Sequence, residues 1–216
     1  MTPFRVVAVP GLGLSAAVAR RTLDRLPGVD ATVVLLPGFG RRMPRGTPVA
    51  PERLARLLLD RLPAGGPAVL VGHSASCQIV AEAAVQAPGR VAALVLVGPT
   101  TDPRAAAWPP LVGRWLRTAA HERPGQIPLL VRAYARTGLL SMARGMNAAR
   151  HHRLAGTVAA VACPVLVVRG RHDAICPADW AAALAPTVTL PVGGHMVPLT
   201  HAVHVAEVLE ALARAG

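Results

Sequence analysis

Short apolar runs punctuate the chain at 6–9, 33–36, 69–71, 94–97 and 165–168, each rich in β-branched residues. Runs of this length are too short to cross a bilayer and suit strands of a parallel sheet buried on both faces. Between them lie longer stretches in which apolar positions recur at helical spacing. The pattern predicts strands over 4–9, 32–36, 68–71, 91–97, 165–168 and 188–190. It predicts helices over 16–26, 51–62, 74–86, 178–184 and 200–213. Six strands alternating with helices imply a three-layer α/β/α sandwich around a mostly parallel sheet.

The connection between the fourth and fifth strands breaks this rhythm. Residues 101–160 are too many for a plain connection, and 111–117 and 129–146 carry helical spacing, so a small helical cap over one end of the sheet is expected. With 216 residues, no internal repeat and no low-complexity linker, the chain reads as a single α/β domain over 1–216, with the cap inserted at about 101–160.

Composition narrows the function classes. The formal charge of +12 is carried by arginine alone, because the chain contains no lysine. A basic balance favours nucleic acid or acidic partners, but these arginines are spread over predicted helices without a basic run, interleaved aromatics or a nucleic-acid motif. No nucleic-acid partner is expected. Cys77, Cys163 and Cys176 are odd in number and form no C-x-x-C pair, so they read as free thiols and not as a disulfide framework or zinc site. The chain reaches a strand by Phe4 and a Pro-Gly turn at Pro10 without a secretory leader pattern, which predicts a cytoplasmic location and no membrane attachment.

The densest chemical signal is the apolar strand that runs into Gly72-His73-Ser74-Ala75-Ser76 and then directly into an apolar-periodic helix. A serine on so sharp a turn is held out at the strand end, where its hydroxyl meets a carbonyl and the helix N-terminus favours developing negative charge. The plainer alternative is that Ser74 caps the helix. A serine nucleophile needs a base, and the base needs an orienting group. Asp173 follows the strand at 165–168 after Gly170-Arg171-His172, and His195 follows the last strand after Gly193-Gly194. Parallel strands deliver all three to one edge of the sheet. Asp102 is a rival acid, and a pairing of Asp173 with Arg169 or Arg171 is the bland alternative. His195 competes with His73, His172, His201 and His204, of which His73 adjoins the nucleophile and the last two fall within a predicted helix. The oxyanion formed during acyl transfer needs two backbone donors. The amide of Ala75 is one candidate, and the amide of Leu12, in the turn Pro10-Gly11-Leu12-Gly13, is the other. That turn lacks the Gly-Lys-Ser/Thr ending of a phosphate loop.

On these motifs, together with Gly194-His195-Met196, the chain resembles the α/β-hydrolase fold family. It is most similar to small bacterial members such as pimeloyl-carrier methyl esterases and cofactor-free haloperoxidase-like esterases. The resemblance covers nearly the whole chain and implies a Ser74, Asp173, His195 triad with no metal or organic cofactor. No strand pair precedes the oxyanion strand, so the family sheet is expected trimmed to six strands. Pro10-Gly11 stands where the family usually has His-Gly, and Ser76 stands where the elbow usually has its second glycine. Relatives that open epoxides or remove halides use an aspartate nucleophile, which Ser74 excludes.

The expected activity is cleavage of a carboxylic ester or thioester through an acyl-enzyme. A lyase or carbon-carbon bond hydrolase with the same triad is a second reading. A hydrolase-like binding protein with negligible turnover is a third, motivated by Pro10 and Ser76. Residues 101–160 hold nine arginines against Asp102 and Glu122. Ringing the entrance, they would steer anionic substrates such as acyl groups on an acidic carrier protein or coenzyme A; otherwise they are solvated helix faces. Trp108, Trp115, Leu129, Leu130, Tyr134, Leu139, Leu140 and Met142 either line an apolar acyl pocket or pack the cap onto the sheet.

Overall fold

The computed structural model describes residues 5–44 and 46–215. Its elements are β1 (Arg5–Val9), α1 (Ala16–Leu23), β2 (Asp30–Val33), β3 (Leu36–Pro37), β4 (Gly40–Arg41), α2 (Pro51–Leu59), β5 (Ala68–His73), α3 (Ser76–Gln86) and β6 (Val91–Val97). The insertion follows as α4 (Trp108–Ala119), α5 (Ile127–Thr137), α6 (Leu139–His151) and α7 (Leu154–Ala159). The chain then continues through β7 (Val165–Gly170), α8 (Ala178–Leu184), β8 (Thr187–Leu190), α9 (Val197–Thr200) and α10 (Ala202–Ala215).

Six strands form one sheet in the order β2-β1-β5-β6-β7-β8, every neighbouring pair parallel; β3 and β4 pair separately. The period of two along each strand divides the core between the faces. Val7, Leu70, Leu94 and Leu96 pack with α2, α3, α7 and α8, whereas Val6, Val69, Val71 and Val95 pack with α1 and α10. Both faces of β5 are therefore covered, which is why Ala68-Val69-Leu70-Val71 reads as an unbroken apolar run. Burying each such valine or leucine contributes about 1.5–3 kcal/mol relative to leaving it in water.

From β1 the chain crosses to β2 on one side and later returns to β5 on the other. The order of connection reverses between β1 and β5, and a crevice opens outside their carboxyl ends, where open α/β sheets bind ligands. The strand ends are level there: Val9 lies opposite Gly72, and His73 opposite Val97.

The predicted elements are present with shifted bounds; Phe4 lies outside the described residues. The strand expected over 32–36 runs earlier, because Val33 is the last residue registered against β1, and Leu36 instead closes a tight turn with Phe39. The helix expected from Ser74 begins at Ser76, since Ser74 itself is in the left-handed region. The 129–146 stretch divides at Gly138, with φ of 85°, into α5 and α6. The last helix is interrupted at His201, so His201 sits between α9 and α10 instead of inside a helix. The helices at 16–26 and 51–62 end early, at Leu23 and Leu59. Among the described residues no helix is long and apolar enough to cross a membrane, and all three cysteines are free.

Candidate active site

Ser74 stands between the last residue of β5 and the start of α3 with φ of 58°, the one non-glycine residue at positive φ among those described. An L-residue enters this region at a steric cost, so the surroundings must impose it. They do so through close contact: a Cβ at Gly72 would lie 2.7 Å from Cys77 Cα and 2.8 Å from Cys77 N, so only glycine lets strand and helix meet at this angle. The Ser74 amide is fixed to the Val97 carbonyl at 2.9 Å. Ser74 does not cap α3, whose N-cap residue is Ala75 without a side-chain bond.

Ser76 occupies the position where glycine is usual, and its hydroxyl is fully engaged. Its Oγ accepts from the His73 amide at 2.8 Å and lies 2.8 Å from the Val9 carbonyl and 2.9 Å from the His73 carbonyl, to which it donates. The side chain thus ties the end of β1 to the elbow. Sequence reasoning treated this residue as a weakness, and here it braces the turn.

Asp173 and His195 converge from the ends of β7 and β8. The Nδ1 of His195 donates to Asp173 Oδ2 at 2.8 Å, and Asp173 Oδ1 accepts from the amides of Ile175 at 2.9 Å and Cys176 at 3.0 Å. Both side chains are buried. Arg169 does not pair with this carboxylate; its guanidinium donates to the backbone carbonyls of Cys176 and Asp173 at 2.7 and 3.0 Å and so pins the loop. Gly98 covers the pair from β6, where an added Cβ would fall 2.9 Å from His195 Nδ1 and 3.0 Å from Asp173 Oδ2. Burial disfavours the imidazolium, but the charge and hydrogen bond of Asp173, with the more distant Glu122, outweigh it, and His195 titrates above its ordinary value.

The rival acid is excluded by its partners. Asp102 is buried, accepts from Arg104 and from Arg114 at 2.6 Å, and is held below the usual carboxylate range by those guanidinium groups against the opposing effect of burial. Two of the nine arginines of the insertion are therefore used internally. Arg104 also bonds Asp179, and Arg150 packs over the Trp108 ring at 5.2 Å.

Ser74 and His195 line one cavity of about 280 Å³ with Leu12 and Leu14 beneath the insertion. Trp108, Trp115, Tyr134 and Met142 line it, the first of the two readings the sequence leaves open, and so do Leu111 and Met146, which the sequence does not single out. Leu139 and Leu140 do not, being 79% and 70% exposed, and Leu129 and Leu130 border neighbouring cavities. The amides of Leu12 and Ala75 donate to no backbone carbonyl among the described residues, so both donors are uncommitted.

Two further residues support the histidine loop. His73 Nε2 bonds the His195 carbonyl at 3.0 Å, and burial pushes the His73 imidazole down to about 3, keeping it neutral. Glu122, just past α4, accepts from the Met196 amide at 2.7 Å and from Gln126 Nε2 at 2.9 Å. Among the described residues one cluster has metal-ligand potential, Glu52 with Glu82 and His152, and none of the three lines the cavity. Glu82 there is already bonded by His152 and Thr157, both at 2.8 Å.

Solved structures share this architecture. A hydrolase from Oleispira antarctica superposes with a TM-score of 0.78 at 13% identity, over 100% of this chain and 93% of its own. The enol-lactonase from Burkholderia xenovorans gives 0.76 at 14% identity, over 99% and 92%. A serine hydrolase involved in carbazole degradation gives 0.72 at 17%, over 99% and 92%. At these identities the likeness is one of fold. No curated protein matches the chain. Residues 6–211 match the model of the alpha/beta hydrolase family, and the chain belongs to that family.

Proposed function

We propose that this hydrolase cleaves a carboxylic ester or thioester through an acyl-enzyme formed on Ser74. The observation that carries the reading is the shared cavity: Ser74, forced out on its elbow, lines the same space as His195, whose Nδ1 is held by Asp173 at 2.8 Å. With Nδ1 donating to the carboxylate, the lone pair of His195 sits on Nε2. Ser74 Oγ attacks the acyl carbon while His195 takes its proton, and Asp173 stabilises the imidazolium. The amides of Leu12 and Ala75 receive the oxyanion, a contribution on the order of 3 kcal/mol per donor to the barrier. Collapse breaks the bond to the leaving group, which departs with the proton from His195. Water then repeats the sequence on the acyl-enzyme and releases the acid, with Ser74 and His195 restored.

The lining is predominantly apolar, with Leu12, Leu111, Met142 and Met146 among its walls, and its volume suits small to medium acyl groups. The engagement of Ser76 in three short contacts removes one of the two features that favoured a binding protein without turnover.

Pre-steady-state hydrolysis of a nitrophenyl hexanoate tests this reading. The expected result is a burst stoichiometric with enzyme and an acyl adduct mapped to Ser74. Hydrolysis without a burst, and equally fast in Ser74→Ala, would overturn it.

A further inference from the structure

Three cavities lie in sequence along the insertion, linked by shared walls. The space holding Ser74 shares His195, Tyr134 and Trp115 with a second chamber of about 320 Å³, which Glu122 borders. That chamber shares Arg123 and Gln126 with a third and larger concavity of about 680 Å³. The outer space is lined by Arg21 from α1, Arg25 from the turn just after it, Arg123 from the insertion, His201 at the break before α10 and His204 in the first turn of α10.

The charge around this outer groove is one-sided. Among the described residues no carboxylate pairs with Arg21, Arg25 or Arg123, although Arg25 folds back on the Arg21 carbonyl and Arg123 meets His201 at 3.3 Å. Of the neighbouring acids, Asp24 pairs with Arg20 and Glu122 accepts from the Met196 amide and Gln126, while Glu207 meets His204 at the groove and leaves the three arginines free of it. Three arginines line one concavity, and a phosphate is the anion whose oxygens accept forked, charge-assisted bonds from guanidinium groups. At the junction with the second chamber, Gln126 is 7% exposed; its side-chain nitrogen donates to Glu122, and among the described residues its side-chain oxygen has no partner. A buried acceptor left open is destabilising, and a donor on a bound ligand would relieve that.

We propose that this groove binds the phosphate-bearing end of an extended leaving group, whose body runs past Gln126 to deliver an acyl carbon to Ser74. The inference rests on the hydrolase reading and specifies its substrate class: an acyl ester or thioester of a long, phosphorylated alcohol or thiol, with a hydrogen-bond donor placed to meet Gln126. Hydrolysis breaks the acyl bond to sulfur or oxygen, the leaving atom takes the proton held by His195, and water supplies the hydroxyl of the acid.

Two thioesters with one acyl group separate the site from the chemistry: hexanoyl-coenzyme A, and S-hexanoyl-N-acetylcysteamine, which lacks phosphates. Because the whole protein is basic, Arg21→Ser/Arg25→Ser is compared with Arg53→Ser/Arg56→Ser, which removes the same charge from the exposed face of α2. The expected result is a kcat/KM at least about tenfold higher for the coenzyme A ester, arising in KM, reduced to within about threefold by the α1 double variant and unchanged by the α2 one. Equal efficiency on both esters, or an advantage that the α1 variant retains, overturns the groove assignment while leaving the hydrolase reading intact. Turnover of neither ester, with no acyl adduct on Ser74, overturns both. Where the advantage is found, hexanoyl loaded on an acidic carrier protein identifies which phosphate carrier the groove prefers.

Discussion

The side chain of His73 donates through Nε2 to the backbone carbonyl of His195 at 3.0 Å, with the two rings 5.1 Å apart. The residue that precedes the elbow serine therefore holds the loop that carries the imidazole. The strand that ends at Ser74 and the loop that carries His195 are joined by this bond, and burial holds the His73 imidazole neutral although the bond itself favours the protonated ring.

The burial of His73 has a signature in stability. In the unfolded chain His73 binds its proton near pH 6.5, and in the folded chain only near about 3. The unfolded state thus holds more protons between these values, and the folded state loses stability as pH falls from 6.5 toward 3. His73→Phe is expected to cost about 1–3 kcal/mol near neutral pH through the His195 carbonyl left unpaired, and to lose less than wild type on acidification. Urea unfolding near neutral pH and at about pH 5 checks this; parallel losses in the two proteins would contradict it.

With His195 as the proposed base, which must be neutral to act, activity is expected to have an acid limb. Asp173 and Glu122 raise its pKa above 6.5 despite burial, so kcat/KM falls as pH drops through that raised value. Asp173→Asn removes the largest raising influence. The expected outcome is a loss of roughly 10³–10⁴ in kcat, with an acid limb displaced to lower pH in a full pH–rate profile.

Ser76→Gly restores the family's usual residue and is expected to harm the protein. It deletes the hydroxyl that accepts from the His73 amide and bonds the carbonyls of Val9 and His73, all in a fully buried position. A loss of about 1–3 kcal/mol in thermal or urea unfolding is expected, with kcat lowered as the elbow loosens. An unchanged or raised Tm would show that the hydroxyl does not brace the turn.

The strands were legible because both faces of the sheet are covered, so that β5 and β6 appear as plain apolar runs. Helix ends were less legible where the cause lies outside the helix. The left-handed backbone at Ser74 delays α3 because of its contact with the preceding strand, and no propensity announces it. Of the candidate site, the positions of Ser74, Asp173 and His195 followed from strand ends and glycine turns. That Asp102 is engaged by Arg104 and Arg114 was not legible, because their spacing of two and twelve residues from it carries no recognisable motif. The roles of Glu122 and Gln126 carry no sequence signal, because Glu122 meets the Met196 amide 74 residues away and the chamber beside Gln126 closes only against Ile175, His195 and Met196.

The most direct test of the account is labelling by a fluorophosphonate probe, read by mass spectrometry on wild type and Ser74→Ala in parallel. The account predicts one adduct, mapped to Ser74 and absent from the variant, formed more slowly in Asp173→Asn. A folded wild-type protein that takes no label, or takes it at another residue, would contradict an assembled triad at this cavity.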